Sequence, residues 1–303
     1  MPDTSPYDLI AEFYDEDMGL NNPGQDIEFY VQRAVRAGGN ILELGCGTGR
    51  ITLPLVRAGC RTVGLDLSLP MLRRLQYKAA AYLLPEQRRR LLCFCADMSA
   101  WALDESFALI ICPFSAFTYL TEDKDRERML DTVRRHLAAD GIFILDLFVP
   151  SQEIISLPDD HVFHDYRRKR QDGTWLERTK TIRKNTSNQI NLVCRIYRFL
   201  ASDGVLLRSI TAQSLIRCYL QKEMLRLLEN AGFAVTEQYG DFAGLPYRDD
   251  ANVMVFVCRP AAIARRAEPA PKVGPGRRNC LRTPSRQLHR NVSLLKQPRS
   301  GGR

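Results

Sequence analysis

The stretch NILELGCGTGR, residues 40–50, decides the fold of this 303-residue chain. In it a short apolar strand leads into three glycines, Gly45, Gly47 and Gly49, spaced two residues apart. A helix is predicted to begin directly after them. Glycines at a strand-to-helix turn let another group lie close to the backbone, because no Cβ occupies that space. We therefore expect a ligand to lie against this turn.

Apolar strands alternate with helices after the glycine turn. Strands are predicted at residues 40–45, 61–66, 91–96, 107–112 and 141–149. The helices between them are predicted at about residues 49–58, 69–82 and 122–138. Alternation at this spacing indicates a parallel sheet with helices on both faces. The flanking segments predict helices at 5–18, 25–37 and 220–231 and strands at 233–239 and 252–258.

Residues 161–218 follow a different pattern. They hold long segments rich in β-forming and charged residues, separated by turn signals such as Asp172-Gly173 and Asp203-Gly204. This pattern predicts an antiparallel meander that covers something on one of its faces. The residues after Pro260 are rich in Pro, Gly, Arg and Ser without a sustained period, so we expect a disordered tail.

The net charge of +8 is concentrated at one end of the chain. Residues 261–303 carry eleven Lys and Arg and one Glu, which leaves 32 basic and 34 acidic residues in the rest. The body is therefore near neutral, and the basic pI does not make it a nucleic-acid binder. Because the tail has no aromatic residues to stack on bases, we expect at most weak polyanion contact through it and no nucleic-acid partner.

The sequence carries no membrane or secretory signal that we recognise. No apolar run approaches the ~18–20 residues of a membrane span, and the acidic N-terminus lacks the basic-then-apolar order of a signal peptide. The nine cysteines form no C-x-x-C pair, and most lie in apolar runs. We therefore expect reduced thiols, no metal site and a cytoplasmic protein.

Three ligands compete for the glycine turn. A phosphate-binding P-loop requires Lys followed by Ser or Thr after the last glycine, and Arg50-Ile51 excludes it. A dinucleotide fingerprint, G-x-G-x-x-G, is weakened but stays open, because its sixth position is Arg50 or Thr52. The third interpretation is the spacing E-x-G-x-G-x-G that begins at Glu43. A turn that merely packs a helix on a sheet is the structural alternative to all three.

An acid follows at the end of the second strand. Asp66 lies ~20 residues beyond the glycine turn, at the carboxyl end of the neighbouring strand, where a carboxylate can accept hydrogen bonds from both ribose hydroxyls. Sequential βα units place adjacent strand ends at one crevice, so the two features are predicted to meet. Asp66 could instead cap the helix that begins near Ser68.

The spacing from Glu43 to Gly49 resembles the first motif of the class I S-adenosylmethionine-dependent methyltransferases. The resemblance covers about residues 5–259 and is strongest over 40–120. It implies S-adenosylmethionine as the cofactor, bound at four successive strand ends and by the N-terminal segment. The implied cofactor-binding residues are Tyr14, Glu43, Gly45, Cys46, Gly47, Gly49, Asp66, Leu67, Asp97, Met98, Pro113 and Phe114.

The resemblance also implies individual roles. Asp97 is expected to read the adenine amino group and Met98 to pack on the ring, while the turn at residues 113–114 faces the methyl donor and acceptor. Tyr7 and the run at residues 11–15 are similar to the entry segment of many small-molecule methyltransferases, which closes over the cofactor with its second tyrosine near the sulfonium. Helix capping and core packing are the alternative roles for these residues.

The position of the meander, between the fifth strand and the last helix, is similar to that in N-methyltransferases of nucleotide-linked amino sugars and in glycine/sarcosine-type enzymes. The implied fold is α/β: a Rossmann-like seven-stranded methyltransferase sheet with helices on both faces and an inserted antiparallel β-meander. The implied division is an N-terminal helical lid (1–38), an S-adenosylmethionine-binding core (39–150), the inserted sheet (151–218), a C-terminal helix and strands that complete the core (219–260), and a basic disordered tail (261–303).

The catalytic candidates depend on the acceptor. An amine must be neutral to offer its lone pair, whereas a hydroxyl requires a general base. Tyr14 is implied near the methyl group, and His161 and His164 are candidates for a base, with surface or packing roles as their alternatives. Arg195 could meet an acidic or phosphorylated acceptor, or be solvated. The other candidate pocket residues are Tyr119, Phe148, Tyr239 and Tyr247.

The sequence thus predicts S-adenosylmethionine-dependent methyl transfer to a small-molecule acceptor, preferentially at nitrogen. Two alternatives stay open: an RNA or protein methyltransferase recruited by the basic tail, and a non-catalytic binding module with the same fold. A nicotinamide oxidoreductase is disfavoured, because no matched catalytic set accompanies the glycines.

Overall fold

The computed structural model describes residues 5–21, 25–149 and 152–261. These residues belong to one compact unit. Except for Ala261, the predicted tail lies outside the described residues. No helix in the described part of the chain is long and apolar enough to cross a membrane.

Eleven strands in the described residues form two sheets. Numbered in chain order, they are β1 (Asn40–Leu44), β2 (Arg61–Asp66), β3 (Leu91–Cys95), β4 (Phe107–Cys112), β5 (Leu137–Phe148), β6 (Phe163–Lys169), β7 (Trp175–Arg183), β8 (Ile190–Leu200), β9 (Leu206–Arg217), β10 (Phe233–Tyr239) and β11 (Val253–Pro260). The larger sheet has the order β10-β11-β5-β4-β1-β2-β3. Strands β1 to β5 are parallel, and β11 runs antiparallel to both β5 and β10.

The helices are α1 (Tyr14–Asn21), α2 (Gln25–Ala37), α3 (Thr52–Arg57), α4 (Leu69–Tyr82), α5 (Pro85–Arg88), α6 (Asp123–His136), α7 (Gln152–Ser156) and α8 (Gln221–Asn230), with a 3-10 helix at Ala116–Tyr119. They cover both faces of the large sheet. Successive residues of a strand point to opposite faces, and apolar residues on each face pack on helices. Ile41 packs with Tyr30 of α2 and Leu55 of α3. Leu42, the next residue, packs instead with Met129 of α6.

The smaller sheet is an antiparallel meander of order β6-β7-β8-β9. Its inner face carries Leu176, Tyr197 and Phe199, which pack on Ile10 and Phe13 of the N-terminal segment. The predicted fold class is therefore confirmed, and what the meander covers is the N-terminal segment.

Several boundaries differ from the prediction, among them the end of α6 at His136 rather than about residue 138 and the start of β5 at Leu137 rather than residue 141. The segment predicted as a helix at 5–18 forms successive turns over residues 6–13, and the helix begins only at Tyr14. Its backbone bonds span three residues, as from Ile10 to Tyr7, because the side chains of this segment are held by groups elsewhere in the fold. Helix α3 begins at Thr52 rather than near residue 49, because the left-handed backbone continues to Gly49. The short helices α5 and α7 were not predicted.

Candidate active site

The glycine turn and Asp66 meet at the carboxyl edge of the large sheet. The backbone N–H of Gly47 donates to Oδ2 of Asp66 at 2.8 Å, and the N–H of Ser68 donates to Oδ1 at 2.8 Å. Burial raises the pKa of Asp66, and the two backbone bonds oppose that effect. Because each carboxylate oxygen has two lone pairs, each keeps one acceptor position beyond these bonds. Asp66 thus has the capacity to accept two further hydroxyl donors.

The turn is a cradle that only glycine fills without strain. The backbone φ angle is 75° at Gly45 and 53° at Gly47, in the left-handed region. A Cβ on Gly45 would lie 3.1 Å from the Cβ of Ala116 and 3.9 Å from Cε of Met98, and one on Gly47 would lie 3.7 Å from Cε of Met71. These neighbours come from other strand ends and from α4, so the turn fits the bare backbone approach that a nucleoside cofactor needs.

The other predicted residues of the turn lie beneath it. A Cβ on Gly49 would lie 2.8 Å from Cγ of Leu75, so this glycine permits close helix packing rather than ligand approach. Cys46 is buried in the core with its thiol away from the surface of the turn. Glu43 accepts a hydrogen bond from Oγ1 of Thr52 at 2.5 Å, and burial raises its pKa to about 8. Glu43 therefore ties β1 to α3 below the cradle.

The third strand end supplies a more open wall. Asp97 is exposed, and its Oδ1 accepts the N–H of Ser99 at 2.7 Å. Met98 is partly buried, and its Cε lies 3.9 Å from the position that a Cβ on Gly45 would occupy. Leu67, which follows Asp66, is 63% exposed. An exposed acid, a methionine and a leucine next to the glycine cradle can contact a planar ring and its polar edge.

The turn after β4 is strained and held by a buried acid. Phe114 and Ser115 have φ angles of 56° and 57°, which non-glycine residues rarely adopt. Their N–H groups donate to Asp146 at 2.8 and 3.0 Å, and the hydroxyl of Tyr30 donates to the same carboxylate at 2.5 Å. Burial raises the pKa of Asp146 to about 6, against the lowering effect of these three bonds. Pro113 is buried, whereas Phe114 is partly exposed.

The N-terminal segment crosses this edge of the sheet and is fastened to it. Oγ of Ser68 donates to Asp8, and Oγ1 of Thr48 donates to Oδ1 of Asp15 at 2.6 Å. Nζ of Lys78 reaches the same oxygen of Asp15 at 2.8 Å. Each contact ends on the cradle itself or on α4 beside it, so the segment forms a cover over the glycine turn.

A second set of bonds fastens the cover to the meander. Asp17 is buried and accepts hydrogen bonds from Arg178 at 2.7 Å, Tyr166 at 2.7 Å and Tyr197 at 3.1 Å. Arg178 also donates to Asp165 at 2.7 Å. These residues lie on β6, β7 and β8. We call this set the Asp17 clasp.

Arg50 joins the glycine turn to the β4 turn. Its guanidinium bonds both oxygens of Asp26, at 2.8 and 2.5 Å, and its Cζ lies 4.9 Å from the ring centroid of Phe114. Tyr14 lies near this pair. Burial raises the pKa of Tyr14, while the Arg50 charge lowers it by less, so the hydroxyl stays protonated at neutral pH.

Three tyrosines, Tyr7, Tyr14 and Tyr119, form an aromatic cluster. The hydroxyls of Tyr7 and Tyr119 are 2.6 Å apart, and their ring centroids are 5.6 Å apart. The ring of Tyr14 lies edge-on to Tyr7 at 5.8 Å. Arg195 on β8 lies close enough to Tyr7 and Tyr119 for its charge to influence the Tyr7 pKa. The structure thus brings Tyr14, Tyr119 and Arg195 together.

The remaining candidates lie elsewhere. His161 precedes β6, is exposed and stacks edge-on against Phe163, and His164 is exposed on the edge strand β6. Among the described residues neither makes a side-chain hydrogen bond that would hold it as a base. Tyr239 bonds Glu237 and Arg33, at the far edge of the sheet. Phe148 is exposed beside the β4 turn. Tyr247 packs partly against the core.

Several site residues were missed by sequence reasoning. Asp146 and Tyr30 hold the β4 turn from the interior of a strand and a helix, where nothing local marks them. Thr48 and Lys78, which both bond Asp15, were also missed, and the position of Thr48 inside the glycine motif is a signal that could have marked it. No group of three or more His, Cys, Asp or Glu in the described part of the chain is arranged to hold a metal ion.

Residues 41–141 match the family described as "Methyltransferase domain". The matched residues include the glycine turn and the strand ends that follow it, which is where the sequence resembles a methyltransferase. A cypemycin N-terminal methyltransferase from Streptomyces sp. is 29% identical over 154 residues, which are 50% of this chain and 60% of that protein. The matched region thus spans somewhat over half the length of this curated relative.

Solved structures share the fold over more of the chain. The CcbJ methyltransferase from Streptomyces caelestis has a TM-score of 0.71 at 22% identity and covers 86% of this chain and 100% of its own. The sugar N-methyltransferase KedS8 from Streptoalloteichus sp. ATCC 53650 has a TM-score of 0.60 at 20% identity, covering 83% of this chain and 92% of its own. At these identities the likeness establishes the class I methyltransferase fold.

Proposed function

We propose that this protein transfers a methyl group from S-adenosylmethionine to a nitrogen of a small-molecule acceptor. The observation that carries the proposal is the Asp66 carboxylate, which joins the glycine cradle to the end of β2 and keeps two acceptor positions for ribose hydroxyls. The similarity to methyltransferases named for amino-terminal and sugar nitrogens supports the nitrogen acceptor.

The chain would hold the cofactor by the residues that meet at this edge. Gly45 and Gly47 would admit the amino-acid portion, Asp66 the ribose, and Asp97, Met98 and Leu67 the adenine. When bound, S-adenosylmethionine supplies a methyl group whose bond to sulfur breaks as the acceptor nitrogen forms the new bond, and the methylated nitrogen then releases a proton to water.

The protein's part in such a reaction is alignment. The strained turn at Pro113–Ser115 presents Phe114 beside Arg50, and the rings of Tyr7, Tyr14 and Tyr119 pack edge-on against one another. Holding the nucleophile and the methyl group in line contributes up to ~7–11 kcal/mol in favourable cases. Burial raises the pKa of Tyr7 and of Tyr14, so these two hydroxyls stay protonated and do not act as bases at neutral pH. This favours an acceptor that arrives already neutral, such as an amine.

A panel assay on the full chain tests the proposal. The protein is incubated with S-adenosylmethionine and three acceptor classes: amino sugars, free amino acids and short peptides with open N-termini. Mass spectrometry follows S-adenosylhomocysteine and a gain of one methyl group on the acceptor. Turnover on at least one amine is expected. Tight cofactor binding without turnover on any class would favour the non-catalytic binding module instead.

A further inference from the structure

Arg195 lies on the inner face of the meander. It lies in β8 between Val193 and Tyr197, two buried residues of the inner face, and opposite Lys180 of β7. Because strand residues alternate in direction, Arg195 shares their face. This face turns toward the N-terminal segment and not toward solvent.

The guanidinium of Arg195 has no bonded partner in the part of the chain that the structure describes. No carboxylate there lies within 4.0 Å of it, and it donates no hydrogen bond. Its neighbours on the same face are satisfied: Arg178 bonds Asp17 and Asp165, and Lys180 also pairs with Asp165. Arg50, the other partly buried arginine at the site, is paired with Asp26. A partly buried cation without a hydrogen-bonded anion is costly, so an anion of a ligand in direct contact with it would be stabilised.

The surroundings of Arg195 belong to the acceptor side of the site. The charge of Arg195 acts on Tyr7 and Tyr119, the two tyrosines whose hydroxyls meet at 2.6 Å. Tyr119 ends the 3-10 helix that starts directly after the β4 turn at Pro113–Ser115, and β9 packs on that helix. Burial by itself would lower the pKa of Arg195, but the neighbouring tyrosines and Asp17 raise it, so the group is charged at every physiological pH.

We infer that Arg195 binds an anionic oxygen group, a carboxylate or a phosphate, carried by the methyl acceptor. This inference rests on the proposed function, because it assigns the acceptor side of the same site. The planar guanidinium presents paired N–H donors that match two oxygens of either anion. The hydroxyls of Tyr7 and Tyr119 lie beside it, and whichever of them accepts the hydrogen bond between the two keeps its own O–H to donate to the same group. The acceptor would then be an amine that also bears an acidic group.

The first experiment measures simple oxyanions on the full chain. Inorganic phosphate is followed by its ³¹P line width and ¹³C-labelled acetate by its ¹³C line width, at constant ionic strength, with and without S-adenosylhomocysteine. The variants are R195Q, R195K and a matched control, R198Q. Arg198 lies on the same strand three residues away and therefore on the opposite face. The melting temperature of each variant reports whether it is folded.

Broadening of at least one anion line is expected with the wild type and R198Q, and about a tenfold weaker interaction with R195Q, as for the loss of a charge-assisted hydrogen bond. R195K keeps the positive charge but not the planar pair of N–H donors, so its affinity for the anion is expected to lie between those of the wild type and R195Q. If only the phosphate line or only the acetate line broadens, that anion is the one that Arg195 prefers. No broadening with the wild type, or broadening unchanged in folded R195Q, overturns the inference.

The second experiment separates this inference from the proposed function. S-adenosylhomocysteine binding is measured by calorimetry on the wild type and R195Q. If the wild type does not bind S-adenosylhomocysteine, the proposed function is wrong. The line widths of phosphate and acetate still test the role of Arg195 in that case. Where turnover is found, acceptor pairs are compared: an amino acid with its amide, and an amino sugar with its phosphate. R195Q is expected to raise KM about tenfold for the anionic member only; an equal change for both members overturns the inference.

Discussion

Replacing Asp146 by Asn tests how the strained turn at the acceptor side is held. The wild-type carboxylate accepts three hydrogen bonds, from Tyr30, Phe114 and Ser115. An amide has the same shape but turns one acceptor into a donor. Whichever way the amide is oriented, at least one N–H or O–H group then faces another donor. The turn therefore loses hydrogen bonds, while the volume of the side chain at position 146 stays the same.

The expected loss follows from these bonds. A hydrogen bond to a charged group contributes ~1.5–3 kcal/mol, and part of that is already offset by the cost of burying the charge, which raises the pKa of Asp146 to about 6. We therefore expect D146N to lower the free energy of unfolding by ~2 kcal/mol at pH 7. The KM for the acceptor should rise as well, because the turn next to it relaxes.

The pH dependence has a definite sign. The carboxyl of Asp146 has a higher pKa in the folded protein, about 6, than the ~3.9 of an unfolded Asp. The folded state therefore binds the proton more tightly, and this group's contribution to stability is full below pH ~4 and is lost as the pH rises through 6. Asn does not titrate, so the deficit of D146N should grow by about 1.4 kcal/mol between pH 7 and pH 5.

Urea unfolding of the full chain at pH 7 and pH 5 is the assay. The matched control is D140N, which changes an exposed acid of the same strand and should alter the free energy of unfolding by less than ~0.5 kcal/mol. A D146N protein as stable as D140N at both pH values would refute the account of the turn.

Three further predictions concern the cofactor, the cover and the tail. D66A should weaken S-adenosylhomocysteine binding by ~1–3 kcal/mol in calorimetry, because ribose hydroxyls lose their acceptors; unchanged affinity in a folded protein contradicts the ribose role. D17N should destabilise the protein by ~3 kcal/mol in urea unfolding, because it leaves Arg178 with an incomplete partner set in the Asp17 clasp; a loss under ~1 kcal/mol would show that the clasp is dispensable. Removing residues 262–303 should leave turnover of a small amine unchanged, and a large loss would favour the tail-recruited RNA or protein substrate.

The sequence was sufficient for the parts of the fold that local pattern controls. Strands β2, β4 and β10 and helices α2 and α4 have the predicted bounds, because each is a strongly periodic segment closed by a turn or a cap. The meeting of Asp66 with the glycine turn was also predictable, since adjacent parallel strands end at the same edge. That inference needs topology alone and no side-chain detail.

The rest depends on contacts between distant segments. Asp146 lies 32 residues from the turn that it holds, inside a strand whose pattern is simply apolar. The segment at 5–13 has helical spacing, yet its side chains bond Tyr119 and Ser68, and these bonds override the helix. Gly49 looked like its neighbours in the motif, and only the position of Leu75 shows that it serves packing.

The central claim is that the glycine turn and Asp66 form a nucleoside site of the methyltransferase type. Calorimetric titration of the full chain with S-adenosylmethionine, S-adenosylhomocysteine and NAD tests it most directly. We predict micromolar binding of the first two and none of NAD. Binding of NAD alone would contradict the claim and return the glycine spacing to a dinucleotide fingerprint.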